Sequence, residues 1–114
     1  IGRQAEVVHS IITEGCTIEG HVENSVLSSS VTVGAGARVL YSILHPGVVV
    51  EPGAVVEYAI VGEGTVVGAG AHIGAQPDGT DGWGVATVGP DVSVPAGGTV
   101  PAGAMIYDGA EVHA

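Results

Sequence analysis

Five histidines, one cysteine, twelve carboxylates and two arginines are the residues of this 114-residue chain able to carry acid–base, nucleophilic or metal chemistry. The histidines are His9, His21, His45, His72 and His113, and no two of them stand in an HxxxxH spacing. A zinc site needs three or four convergent nitrogen or sulfur donors, and the sequence shows no His–carboxylate cluster that would supply them. Glu14, Glu19, Glu23, Glu51, Glu57, Glu63, Asp78, Asp81, Asp91, Asp108 and Glu111 are scattered singly. None makes a sequence-level acid/base pair, so they read as solvated outward positions. The fixed cations are Arg3 and Arg38 alone, against a formal charge of −10. A chain so acidic has no basic face for nucleic acid or an anionic membrane surface.

The elements that must position these residues come from a repeat. Three consecutive 17-residue blocks align without gaps: NSVLSSSVTVGAGARVL (24–40), YSILHPGVVVEPGAVVE (41–57) and YAIVGEGTVVGAGAHIG (58–74). Within each block, large aliphatics fall at steps of six, six and five. The same phase, followed both ways with a few shortened steps, gives Ile1, Val7, Ile12, Ile18, Val22, Leu27, Val33, Val39, Leu44, Val50, Val56, Val61, Val67 and Ile73. It resumes at Val88, Val94, Val100, Ile106 and Val112. Two positions before each of these rungs after the first stands a small residue or a Val, Cys16 among them.

Residues two apart on a strand share a face, so each small residue and its following aliphatic point inward together. Gly and Pro then turn the corners, as at Gly34–Gly36, Pro52–Gly53, Gly62–Gly64, Gly68–Gly70, Pro95–Gly97 and Pro101–Gly103. Three short strands and three corners close one triangular coil, and coils stack at about 4.8 Å. The reading is all-β: a left-handed parallel β-helix of hexapeptide repeats, about six coils high, forming a single domain over residues 1–114. An α-helix would want apolar spacings of three and four, which are missing. Parallel crossovers are ordinarily right-handed; the left hand follows from likeness to the known hexapeptide pattern, not from composition.

In that register His21 and His72 point outward, His45 sits at a corner, and Cys16 fills an inward slot as inert packing. The GxG strings are corner glycines, since no helix pattern follows them to make a dinucleotide fingerprint. A stretch near 75–85, AQPDGTDGWGV, breaks the ladder and holds the one tryptophan, Trp83. It reads as a loop insertion, with Trp83 covering a coil face. The lone cysteine excludes an internal disulfide and suits a cytoplasmic protein, no apolar run is long enough for a membrane span, and no basic-then-apolar leader directs secretion. A start at Ile1 rather than Met points to a piece of a longer protein.

The residues SIITEGCTIEGHVENSVLSSSVTVGAGARV (10–39) and YSILHPGVVVEPGAVVEYAIVGEGTVVGAG (41–70) carry a family resemblance. They resemble the C-terminal domain of bacterial glucose-1-phosphate adenylyltransferase, the pattern S-x-I-x-E-G-C-x-I-x-G-x-V-x-N-S-V-L above all. The later VGPDVSVPAGGTVPAGAMI (88–106) is similar to that family's terminal coil. The resemblance implies a larger enzyme. Its N-terminal nucleotidyltransferase domain would join ATP and glucose 1-phosphate, releasing pyrophosphate and giving ADP-glucose for glycogen. Magnesium and the catalytic residues would belong to that domain, so this chain carries over no catalytic, cofactor or metal residue. The β-helix would help hold a homo- or hetero-tetramer together and border sites for phosphorylated effectors. Such sites want several Lys or Arg, so the expectation is assembly and interdomain packing with weak effector control. Arg38 is the candidate effector or interdomain contact. The alternative is a stand-alone trimeric hexapeptide acyltransferase, which lacks a basic patch for CoA phosphates; a zinc enzyme of the hexapeptide carbonic-anhydrase type ranks below it. The same prism hosts all three functions.

Overall fold

The structure, a computed structural model, describes residues 6–76 and 84–106. Strands of two or three residues stack into three parallel sheets, one on each face of a prism. The first sheet holds Glu6–Val8, His21–Glu23, Arg38–Leu40, Val55–Glu57, His72–Ile73 and Thr99–Val100. The second holds Ile11–Ile12, Val26–Leu27, Ile43–Leu44, Ala59–Val61, Ala86–Val88 and Met105–Ile106. Thr17–Ile18, Thr32–Val33, Val49–Val50, Val66–Val67 and Ser93–Val94 make the third. Sheets of six, six and five strands amount to between five and six turns among the described residues. The fold is the left-handed parallel β-helix of hexapeptide repeats.

Rung stacks on rung in the register the repeat predicts. Val7, Val22, Val39, Val56, Ile73 and Val100 form one inward column. Ile12, Leu27, Leu44, Val61, Val88 and Ile106 form the second, and Ile18, Val33, Val50, Val67 and Val94 the third. From Ile18 to Val100 these rungs are buried, while Val7, Ile12 and Ile106 in the terminal coils are partly covered. Each fully buried aliphatic contributes roughly 1.5–3 kcal/mol. Cys16 packs against this core, and its thiol donates to the Ser28 carbonyl at 3.1 Å.

The three corners differ. The one joining the third sheet to the first turns at Gly36, Gly53, Gly70 and Gly97, each with positive φ. In the first four coils the corner joining the first sheet to the second is the five-residue step. It turns on one left-handed residue that is not glycine: His9, Asn24, Tyr41 and Tyr58, at φ between 46° and 49°. A left-handed residue with a Cβ costs about 1–2 kcal/mol, offset here by stacking. Each successive amide bonds to the coil below: Asn24 to Val8, Tyr41 to Glu23 and Tyr58 to Leu40, at 2.9–3.0 Å. Inside this corner the serines of the small slots form a ladder. Ser10, Ser25 and Ser42 hydroxyls accept the amides of Ser25, Ser42 and Ala59 at 3.1–3.3 Å. The same hydroxyls donate to the carbonyls of Val8, Glu23 and Leu40. The short corner thus replaces missing main-chain bonds with side-chain ones. Among the described residues no buried side-chain nitrogen or oxygen lacks a partner.

Register also locates the ladder break. Coils pair at a 17-residue offset through the centre, as Val39 with Val56, whereas Ile73 pairs with Val100, an offset of 27. The additional residues enter after His72–Ile73 and before Ala86–Val88, at the corner of the left-handed residues. Trp83 and positions 77–83 of the insertion lie outside the described residues, as do Arg3 and His113.

Candidate functional site

Strand parity turns every second residue outward, and stacking then makes each outward position into a column. On the first sheet one column runs His21, Arg38, Val55, His72 and Thr99. The next runs Val8, Glu23, Leu40 and Glu57. Arg38, the fixed cation among the described residues, is exposed in mid-column with His21 in the adjacent coil and His72 two coils along. This face carries more ionisable groups than the outward columns of the other two sheets.

Two His–Glu contacts form there, where the sequence reading expected no His–carboxylate cluster. His21 Nε2 lies 3.2 Å from Glu23 Oε1, two residues on along the same strand. His72 Nε2 lies 2.7 Å from Glu57 Oε2 on the neighbouring coil. The second pair is the more consequential. Glu57 is outward by parity yet only 8% exposed, while about half of the His72 side chain reaches solvent. A carboxylate withdrawn from water against an imidazole holds the ring's orientation. The i,i+2 spacing of His21 and Glu23 was readable from the sequence. The diagonal pair was not, because Glu57 and His72 meet only through the coil offset. His21 and His72 do point outward as expected, although His21 is half-buried; His45 and His9 sit exposed at corners. Among the described residues no group of three or more His, Cys, Asp or Glu could hold a metal ion.

At the edge of this face the corner residues Tyr41 and Tyr58 stack, with ring centroids 4.8 Å apart and planes 9° from parallel. Beyond the corner, the second sheet presents an outward column of Ile11, Val26, Ile43, Ile60, Thr87 and Met105, with no ionisable member. The third sheet presents Thr17, Thr32, Val49, Val66 and Ser93. The prism thus has one ionisable face, one apolar face and one neutral face.

Comparison with known proteins agrees with the fold and divides on function. A family model described as GlmU-like, C-terminal hexapeptide matches residues 1–89. A glucose-1-phosphate adenylyltransferase of Clostridioides difficile is 51% identical over 49 residues, covering 43% of this chain and 13% of that protein. One of Bacillus thuringiensis (strain Al Hakam) is 46% identical over 50 residues, covering 44% of this chain and again 13% of the relative. The match therefore spans about an eighth of these relatives' length. Among solved structures, the acetyltransferase domain of PglB from Neisseria gonorrhoeae superposes with a TM-score of 0.77 at 29% identity, over 94% of this chain and 50% of that one.

Proposed function

The chain belongs to the GlmU-like, C-terminal hexapeptide family, and from that premise we propose that it is the assembly and regulatory domain of a glucose-1-phosphate adenylyltransferase. The missing N-terminal nucleotidyltransferase domain would make ADP-glucose and pyrophosphate from ATP and glucose 1-phosphate for glycogen synthesis in the cytoplasm. The observation that carries this reading is the 51% identity over 49 residues to an adenylyltransferase. Magnesium and the reacting groups would belong to the N-terminal domain, and no donor cluster among this chain's described residues suits the ion. This chain's part would be to hold subunits and domains in place, in a homo- or hetero-tetramer. Arg38, exposed on the ionisable face, would be the residue to touch a neighbouring domain or an anionic effector. The test is an assay of the intact gene product with ATP, glucose 1-phosphate and magnesium. ADP-glucose and pyrophosphate in equal amounts support the reading; their absence from a folded product contradicts it.

A second reading, a trimeric hexapeptide acyltransferase, draws on the likeness to the PglB acetyltransferase domain and on the Glu57–His72 pair. In it, His72 held by Glu57 would take the proton from an acceptor amine or hydroxyl as that group attacks the acetyl-CoA thioester carbonyl, and would pass it to the CoA thiolate as the C–S bond breaks. Acetyl transfer from acetyl-CoA to amino sugars, abolished by His72→Gln, would favour this reading over the first.

A further inference from the structure

We propose that the corner joining the first sheet to the second carries a binding site for a neutral, gluco-configured pyranose, with the exposed face of Tyr41 as its platform. The site does not depend on the adenylyltransferase reading. His9, Asn24, Tyr41 and Tyr58 hold the same corner position in four successive coils, each left-handed at φ between 46° and 49°. From Asn24 on, each amide bonds to the coil before it. With like backbones the four side chains leave the prism in one column, at the strand spacing of about 4.8 Å. The Tyr41 and Tyr58 rings keep that spacing, with centroids 4.8 Å apart and planes 9° from parallel. Tyr58 thus covers one face of the Tyr41 ring. The other face looks along the column to Asn24, whose side chain is much shorter, and past it to the exposed His9. The column therefore has a recess one coil high, and Tyr41 is 48% exposed beside it.

Size, rim chemistry and charge together select the guest. From Tyr41 to His9 is two coil steps, about 9.6 Å. A ring in van der Waals contact on both faces takes about 7–8 Å of that, at about 3.5–4.0 Å per contact. The pucker of a chair takes up the remainder, where a flat heterocycle leaves slack. At the rim, the Asn24 amide offers donors and an acceptor in one plane. The neighbouring Glu23 is held through Oε1 by His21 Nε2 at 3.2 Å, and about a third of its side chain reaches solvent. A fixed carboxylate accepts from sugar hydroxyls and turns away phosphates and carboxylates, as does the formal charge of −10 on the whole chain. The configuration follows from the two rings. Equatorial hydroxyls leave C–H groups on both faces of a glucopyranose, the apolar surface that an aromatic ring takes. An axial hydroxyl would point into Tyr41 or His9.

Titration of the chain with methyl β-D-glucopyranoside, followed by the NMR signals of the tyrosine rings and the Asn24 side-chain amide, tests the proposal. Methyl β-D-galactopyranoside and adenosine are the comparators. The expected result is saturable shifts at Tyr41 and Asn24 with a dissociation constant of about 1–10 mM, in keeping with so small a ligand. The galactoside, with its axial hydroxyl, binds at least ~3-fold more weakly. Tyr41→Asn, which keeps a residue tolerant of left-handed backbone, raises the constant at least ~10-fold, and Glu23→Gln raises it less. A melting curve confirms that each variant folds, and the galactoside comparison reads the same contact in the unaltered chain. Absence of shifts up to about 50 mM glucoside overturns the site. Shifts that persist unchanged in Tyr41→Asn overturn its location. Equal binding of the two glycosides overturns the stacked arrangement, and adenosine binding more tightly than the glucoside at the same signals overturns the choice of a sugar.

Discussion

Ser42 has two jobs at one buried atom. Its hydroxyl accepts the Ala59 amide at 3.3 Å and donates to the Leu40 carbonyl at 2.8 Å, so one oxygen ties its own corner to the next coil. Removing it strands a buried N–H, and an unsatisfied buried donor costs about 1–3 kcal/mol. Ser42→Ala is therefore expected to lower unfolding free energy by that amount in urea titration, while Ser30→Ala, at an exposed corner, changes it by less than about 0.5 kcal/mol. Arg38 belongs to the same scale. Among the described residues it is the one fixed cation on its face, which also carries the His21–Glu23 and His72–Glu57 contacts. One guanidinium is a poor match for a phosphorylated effector, which several cations usually share. In the full-length adenylyltransferase proposed above, Arg38→Ala is expected to leave responses to fructose bisphosphate, pyruvate and AMP within about two-fold, a shift worth only ~0.4 kcal/mol. Strong activation abolished by that substitution would contradict a mainly structural role.

At the scale of the element, the inward ladder was legible because strand parity and a six-residue step leave little freedom. One small residue, one aliphatic and one corner per strand specify which side chains stack, and Val22 on Val39 on Val56 follows directly. Val50 tests that register. It is fully buried between Val33 and Val67, so Val50→Asp is expected to abolish cooperative thermal unfolding, and a normal melting curve would refute the assigned phase. Gly74 tests the break. It has φ +79°, and a Cβ there would collide with the Glu57 carbonyl oxygen of the coil below. Gly74→Ala is expected to cost more than about 1 kcal/mol, read from the denaturation midpoint. What the sequence hid were relations between coils on the outside. Ile11, Val26, Ile43 and Ile60 each stand one residue before a rung, as do Thr17, Arg38 and His72. A single outward residue says little until stacking shows what lies above and below it. Leu40 and Glu57 were hidden for the same reason: parity turns them outward, yet both are buried. Glu57 reaches His72 only because their strands are offset between coils.

At the scale of the whole molecule, the prism presents three chemically distinct sides. Such a fold serves transferases and assembly domains alike, so architecture alone does not choose between them. The choice rests on the 51% identity over 49 residues to an adenylyltransferase, of whose length the matched stretch is 13%. The measurement that bears most directly on it is the intact mass of the native gene product in its source cell. The account predicts a product of about 40–45 kDa, one nucleotidyltransferase domain of ordinary size preceding this one. A native product near this chain's own 11.2 kDa would contradict it and move the assignment to a stand-alone trimeric acyltransferase or a scaffold.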